Sequence, residues 1–383
     1  MRYRVLLDTD SPLVISLDRA TGNELGTARH IPGTAWRGAA AALYLEERKP
    51  ANPEEDEDFA ALFLRQRVRF GDLRCEGAKP WPLSARWCAQ EREGHGARDL
   101  LIGTGRRDKL PLECEYESEG KRCGAKLAQP DWFYRWREES PERQKVESRV
   151  TAHTAIANET LRVREGQFYS SEVVERGQRF SGELEVRDEA ADVVKRRLAD
   201  RQLALVVGRG ATRGQGRVKV RLTAVEQEKE QRERAELADR IRRLNEAYGR
   251  PGEVAFTCTL LSPCVVYDRW LCSRLVLEAG DMAEAAGEQA ALNGYELRAW
   301  YSRGVRISGW NDQAKLPKAD VAAIGAGSGF LFSREIDESE RETECQRLAE
   351  ILGRARTGIG ERWEEGFGEV EFCDEFHIRQ RTL

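Results

Sequence analysis

The stretch "VGRGATRGQGRVKV", residues 207–220, sets Gly208, Gly210, Gly214 and Gly216 among Arg209, Arg213, Arg217 and Lys219. Glycines let the backbone present its N–H groups and the cations add charge, so this spacing predicts the holding of a polyanion. Two nucleotide signatures fail. No Gly-Lys-Ser/Thr is present, and the loop follows helix and strand instead of opening a helix as a dinucleotide fingerprint does. ATP and NAD are therefore poor fits, which leaves a polyphosphate chain such as RNA. A solvated hairpin tip with incidental arginines is the alternative. Arg37 is a second expected RNA contact, because "PGTAWRG" places it at the start of a helix, where phosphate is favoured. A later glycine-rich stretch, "GIGERWEEGFGEVEF" at 358–372, surrounds Arg362 with Glu361, Glu364, Glu365 and Glu369, so the first loop carries the expectation.

Other residue types suggest other chemistry. Cys75, Cys88, Cys114 and Cys123 fall in one irregular segment and form a ligand set for a single structural zinc, with His95 able to replace Cys75. No Cys-x2-Cys pair is present, so buried free thiols stay open as the alternative. Cys258, Cys264, Cys272, Cys345 and Cys373 sit on apolar strands or helix stripes and read as core. His30 stands before the first helix; no second catalytic group converges with it in the sequence, and a polar turn residue is the preferred reading. His153 lies on a strand-like stretch and His377 in the tail. Asp8 and Asp10 near the first strand are explained by turn chemistry. "DWFYRWR" interleaves Trp132, Phe133, Tyr134 and Trp136 with Arg135 and Arg137, a composition that can stack bases or pack on a partner.

These residues need elements to hold them. A length of 383 residues allows two domains. The net charge of −4 argues against a protein that coats nucleic acid generally but permits a local basic site. No apolar run is long enough to span a membrane and no secretory segment is evident, so the expected location is cytoplasmic. "YRVLLDTDSPLVIS" reads as a strand bent at Ser11-Pro12, followed by a helix from Ala35 to Glu47 capped by Thr34. Periodicity fades over 50–150, which reads as an insertion. A hairpin at 166–188, the helix "EAADVVKRRLADRQ" and the strands "LALVV" and "RVKVRLTAV" follow. That order predicts an interrupted ferredoxin-like domain over 1–225. A charged helical linker spans 226–250. From 251 to 383 the pattern returns: "EVAFTCTLLSPCVVY" bends at a second Ser-Pro, and a helix striped by Cys345, Leu348, Ile351, Leu352 and Ala355 precedes the second glycine loop. The expected class is α+β, with two ferredoxin-like (RRM-like) domains in tandem formed by internal duplication.

"IPGTAWRG", "VGRGATRGQGRV" and "GIGERWEEGFGEV" resemble recurring motifs of the CRISPR-associated RAMP superfamily, whose glycine-rich loops contact RNA. "FGDL", "WPLSARWC", "HGARDLL", "EGQFYSSEVVERGQRFSGEL" and "ISGWNDQAKLPKADVAAIGAGSGFLF" narrow the resemblance to the Csx-ten-type subunit of type III-D effector complexes, from residue 1 to about 372. The resemblance implies a non-catalytic subunit that grips the 5′ tag of guide RNA and contacts the large signalling subunit and backbone RAMP subunits. The competing functions are a RAMP endoribonuclease acting on guide or target RNA, for which the resemblance offers His30 as general base or Asp8 or Asp10 as a cleavage aspartate, and a protein-only scaffold.

Overall fold

The computed structural model describes the chain except residues 17–23, 91–93, 112, 132, 138–139, 157–162, 312–315, 357 and 380–383. In chain order the elements that position the site are β1 (Arg2–Thr9), α1 (Gly33–Arg48), α2 (Glu57–Phe63), β2 (Val68–Phe70), β3 (Ala85–Cys88), β4 (Ala97–Asp99), α3 (Leu101–Arg106), β5 (Ser148–Ile156), β6 (Val163–Val174), β7 (Arg179–Val186), α4 (Ala191–Val194), β8 (Leu203–Val206), β9 (Arg217–Ala224), α5 (Gln227–Tyr248), β10 (Glu253–Leu260), α6 (Ala279–Ala285), β11 (Glu296–Tyr301), β12 (Gly329–Glu335), α7 (Arg341–Ala355), β13 (Val370–Phe372) and α8 (Glu375–Arg379). This is a mixed α/β fold dominated by antiparallel pairing.

The chain divides into two units. Unit 1 comprises Met1–Ala78, Lys145–Val225 and Glu364–Gly366; unit 2 comprises Lys79–Gln144, Glu226–Trp363 and Phe367–Leu383. In unit 1 the sheet runs β8-β9-β1-β7-β2, so the closing hairpin lies beside the first strand and the third strand separates the first from the second. Unit 2 repeats this arrangement as β13-β10-β12-β11. Alternation explains the unit 1 sheet: Tyr3, Val5 and Leu7 of β1 are buried, and so are Val218, Val220 and Leu222 of β9. Trp36, Ala40 and Tyr44 form the buried stripe of α1. In unit 2, Phe256 stacks on Phe332 with centroids 5.2 Å apart, and Cys345, Leu348, Ile351, Leu352 and Ala355 bury the expected stripe of α7.

Several expectations change. The segment 50–150 is not one insertion: α2 and β2 complete unit 1, where Tyr44, Phe59, Phe63 and Phe70 pack ring against ring, and only Lys79–Gln144 belongs to unit 2. A seven-residue helix and a three-residue strand are too short to display a period. The expected linker 226–250 is α5, whose Leu237, Ile241, Leu244 and Tyr248 are buried in the core of unit 2. The strands in 166–188 do not form a hairpin with each other, since β6 pairs with β5 and β7 with β1. Thr34 is not the N-cap; α1 begins at Gly33, whose N–H donates to Asp72 Oδ1 at 2.9 Å, so a carboxylate distant in sequence caps the helix. No helix among the described residues is long and apolar enough to cross a membrane.

Candidate nucleic-acid interface and metal centre

The strand bend at Ser11-Pro12 builds the first glycine loop. Ser11 Oγ accepts the Arg217 N–H at 2.8 Å, the Pro12 carbonyl accepts Gly216 N–H at 2.9 Å, and the Val14 carbonyl accepts Arg209 N–H at 2.9 Å. Within the loop, Val207 N–H donates to the Gly216 carbonyl at 2.8 Å, and Ala211–Arg213 make one 3-10 turn. Gly208 and Gly216 have φ of +83° and +84°, and a Cβ at either would overlap the Val14 or Val207 carbonyl oxygen. The glycines therefore serve close backbone approach in a fixed loop, where the sequence suggested freedom. Arg209, Arg213, Arg217 and Lys219 are all exposed. Lys219 pairs with Asp10 at 2.8 Å, whereas Arg209 and Arg217 have no ion pair among the described residues.

The open face of the unit 1 sheet adjoins this loop. Its outward positions carry Arg2, Arg4 and Asp8 on β1, Arg217, Lys219 and Arg221 on β9, and Arg179 and Glu183 on β7. Asp8 bridges Arg179 at 2.7 Å and Arg221 at 3.6 Å, and Arg2 meets Glu183 at 3.3 Å. Asp8 and Asp10 are thus ion-pair partners of cations on the same face. None of these positions carries an aromatic ring, so the surface suits phosphate contact more than base stacking.

Unit 2 builds the same loop with opposite charge. Ser262 Oγ accepts Glu369 N–H at 2.9 Å, the Pro263 carbonyl accepts Gly368 N–H at 2.8 Å, the Val265 carbonyl accepts Glu361 N–H at 2.8 Å, and Ile359 N–H donates to the Gly368 carbonyl at 2.9 Å. Glu361 and Glu369 stand where the first loop has Arg209 and Arg217. The sheet face beside it is also closed. Gly105 of α3 approaches the side chains of Leu331 and of Tyr248 from α5, Asn245 of α5 bonds the edge backbone groups of Ala255, and His377 of α8 bonds Thr259.

Residues 79–144 bring Cys88, His95, Cys114 and Cys123 together, with one ligand atom from each lying within 4.8 Å of the others. Cys88 ends β3 and His95 precedes β4, so one hairpin supplies two ligands. Cys114 and Cys123 flank the short strand pair Glu117–Ser118 and Lys121–Arg122. Cys88 Sγ lies 3.7 Å from Cys123 Sγ, and Cys114 Sγ lies 3.5 Å from His95 Nδ1. Sulfurs held tetrahedrally about 2.3 Å from a zinc ion stand about 3.8 Å apart, so the donor set fits that metal. Burial, with the Cys88 and Cys123 sulfurs, pushes the Cys114 thiol up, and a divalent cation is the partner that would favour its thiolate. The Tyr116 ring stacks on His95 at 4.0 Å and fixes its plane. Cys75 is not part of this set: it lies in unit 1, opposite Phe180 of β7, and His95 takes its place.

The RAMP superfamily model matches residues 6–219, more than half of the chain, from within β1 through the first glycine loop. The chain belongs to the RAMP superfamily. No curated protein matches it. Among solved structures, a chain of the type III-B Cmr-beta assembly with cognate target RNA and AMPPnP is 14% identical, with 91% of this chain and 94% of that chain covered and a TM-score of 0.43. Cmr4 (Cas7) of Pyrococcus furiosus is 15% identical over 59% of this chain and 100% of its own, with a TM-score of 0.27. A Cas6 product complex is 15% identical over 52% and 80%, with a TM-score of 0.30. These overlaps are loose, and the site of this RAMP protein rests on its own residues.

The remaining candidates of this RAMP chain have structural partners. His30 Nε2 is 3.6 Å from Asp72 Oδ2, and Arg74 is 3.7 Å from the same oxygen, so His30 belongs to the group that caps α1. Arg37 donates to the Phe63 carbonyl at the end of α2, and Asp72 occupies the helix N-terminus expected to receive phosphate. Tyr134 is fully buried against Trp81 and Phe376, Trp136 is partly buried, and Trp132 lies outside the described residues. His153 lies in β5, its side chain outside the described set. Cys272 is exposed, while Cys258, Cys264, Cys345 and Cys373 are buried as expected.

The sequence missed the buried network around His377. His377 Nδ1 is 2.8 Å from Asp99 Oδ2, His377 Nε2 is 2.8 Å from Thr259 Oγ1, and Asp99 Oδ1 accepts from Ser84 at 2.5 Å. Lys79 joins Glu371 at 2.5 Å and Asp374 at 3.4 Å, and Tyr134 donates to Asp374 at 3.1 Å. "HGARDLL" marked Asp99 only as part of a motif; its partner is 278 residues away, beyond the reach of any spacing rule.

Proposed function

We propose that this chain is a non-catalytic, RNA-binding subunit of a type III CRISPR effector complex, of the Csx-ten kind found in type III-D. Its two units are read as ferredoxin-like domains, a reading supported by their shared strand order. The first glycine loop grips guide RNA, at the 5′ tag, and neighbouring surfaces meet the large signalling subunit and the backbone RAMP subunits. One observation carries this reading. Two loops have the same hydrogen-bonded frame, and only the first presents Arg209 and Arg217, outside any ion pair, beside an open sheet face. The Arg209, Gly216 and Arg217 N–H groups are already bonded to the 11–14 bend, so the cationic side chains are the phosphate contacts. His30, held in the Asp72 group, supports the non-catalytic reading. Cys88, His95, Cys114 and Cys123 hold one structural zinc that fastens the 79–144 segment.

The test is guide RNA binding across a salt series with wild-type chain and an Arg209→Ala/Arg213→Ala/Arg217→Ala variant. Loss of three phosphate contacts lowers affinity on the order of a hundredfold and reduces the log–log salt slope by about 2. Equal affinity of the two proteins at every salt concentration refutes the loop as the grip. RNA cleaved by the wild type, and spared by His30→Ala, would make the chain an endoribonuclease instead.

A further inference from the structure

Unit 2 carries a small hairpin that the RNA reading leaves unused. After β10 the chain runs through Tyr267, which bridges Ser273, and turns over Asp268-Arg269-Trp270-Leu271. Asp268 Oδ1 accepts the Trp270 N–H at 2.8 Å and the Cys272 N–H at 2.9 Å. Asp268 N–H donates to the Cys272 carbonyl at 2.9 Å, and Leu271 N–H donates to the Asp268 carbonyl at 3.0 Å. Leu271 has φ of +59°, a backbone setting that a branched side chain rarely adopts. These four bonds hold it there. The outcome is a rigid tip that displays two consecutive large apolar side chains: Trp270 is 72% exposed and Leu271 80%. Leu275, at the foot of the hairpin, is 46% exposed.

Single exposed apolar residues are ordinary, but adjacent ones fixed in place at a protruding turn have the makings of an interface anchor. Two features choose the partner. The Arg269 guanidinium lies 5.0 Å from the Trp270 ring centroid and covers one ring face, and Arg269 has no ion pair among the described residues. Arg274, the other nearby cation, is committed to Asp281 and to Glu278 at 3.4 Å. A nucleic acid would ask for several available cations to meet its phosphates. An apolar protein pocket with carboxylates on its rim would take Trp270 and Leu271 inside and pair with Arg269.

We infer that the 268–271 turn is a peg that docks into an acidic-rimmed apolar pocket on another protein subunit. This rests on the reading of the chain as part of a multi-subunit assembly. The test places the photo-cross-linker p-benzoylphenylalanine at position 271 of the full chain and irradiates the complex purified through a tag on that chain. An adduct between this chain and one protein subunit is expected, and Trp270→Ala should lower recovery of that subunit about tenfold or more. The isolated Trp270→Ala chain should bind guide RNA as the wild type does. An adduct with RNA, or no adduct in a complex that retains its RNA and subunits, overturns the peg and leaves the assembly standing. A chain that purifies without RNA or other subunits overturns both.

Discussion

Arg209 and Glu361 occupy the same corner of one hydrogen-bonded loop, and the difference between them is a difference of charge, not of backbone. The positions that set this contrast were readable in the sequence, because glycines and arginines at fixed spacing announce themselves locally. The candidate metal ligands were half readable: Cys88, Cys114 and Cys123 stood out by type, but the choice between Cys75 and His95 depends on which strand each follows. Replacing Cys114 by Ser should therefore abolish retention of about one zinc per chain, whereas Cys75→Ser should leave it intact, as metal analysis of the purified proteins will read. His377 makes a second prediction. Burial alone would push its pKa down, but Asp99, Asp374 and Glu371 hold it above the ordinary value of 6.5. A group raised in the folded state stabilises fully below its unfolded pKa and loses that contribution as pH rises through the folded value. Urea unfolding should show this loss above pH 6.5, and His377→Ala, which leaves Asp99 buried without its partner, should cost about 3 kcal/mol or more at pH 6.

At the scale of elements, the loop depends on glycine to different degrees. Gly216 has φ of +84° and lies under the Val207 carbonyl, while Gly214 has φ of +76° and open space where a Cβ would stand. Gly216→Ala should destabilise unit 1 by about 2–4 kcal/mol and Gly214→Ala by about 1 kcal/mol, a ranking that thermal unfolding will check. Periodicity revealed α1, α7 and the alternating strands because each spans several repeats of its own pattern. It failed at α2 and β2, which are too short, and at β6 and β7, where correct alternation did not disclose the pairing. A strand's partner is chosen by the sheet it enters, and β7 enters beside β1. Tyr134 misled for a related reason: an aromatic beside arginines looks like a surface for bases or for a partner until Trp81 and Phe376 close around it.

For the whole molecule, the doubled strand order was legible from the two Ser-Pro bends, but the interleaving of the units was not. Lys79–Gln144 leaves the first unit to join the second, and Glu364–Gly366 returns to the first, where Arg69 donates to the Gly366 carbonyl at 3.3 Å. The first transfer shows in the sequence only as faded periodicity with blurred bounds, and the three-residue return leaves no mark. Covering one sheet with α3, α5 and α8 has an arithmetic result. A duplicated body with two equivalent cationic loops would take up two strands, or one strand at two points; this one has a single loop with arginines at both positions. Titration of wild-type chain with short guide fragments should saturate at one fragment per chain. Reversing Glu361 and Glu369 to arginine should leave that ratio unchanged, because the floor on which a second fragment would rest is already built over.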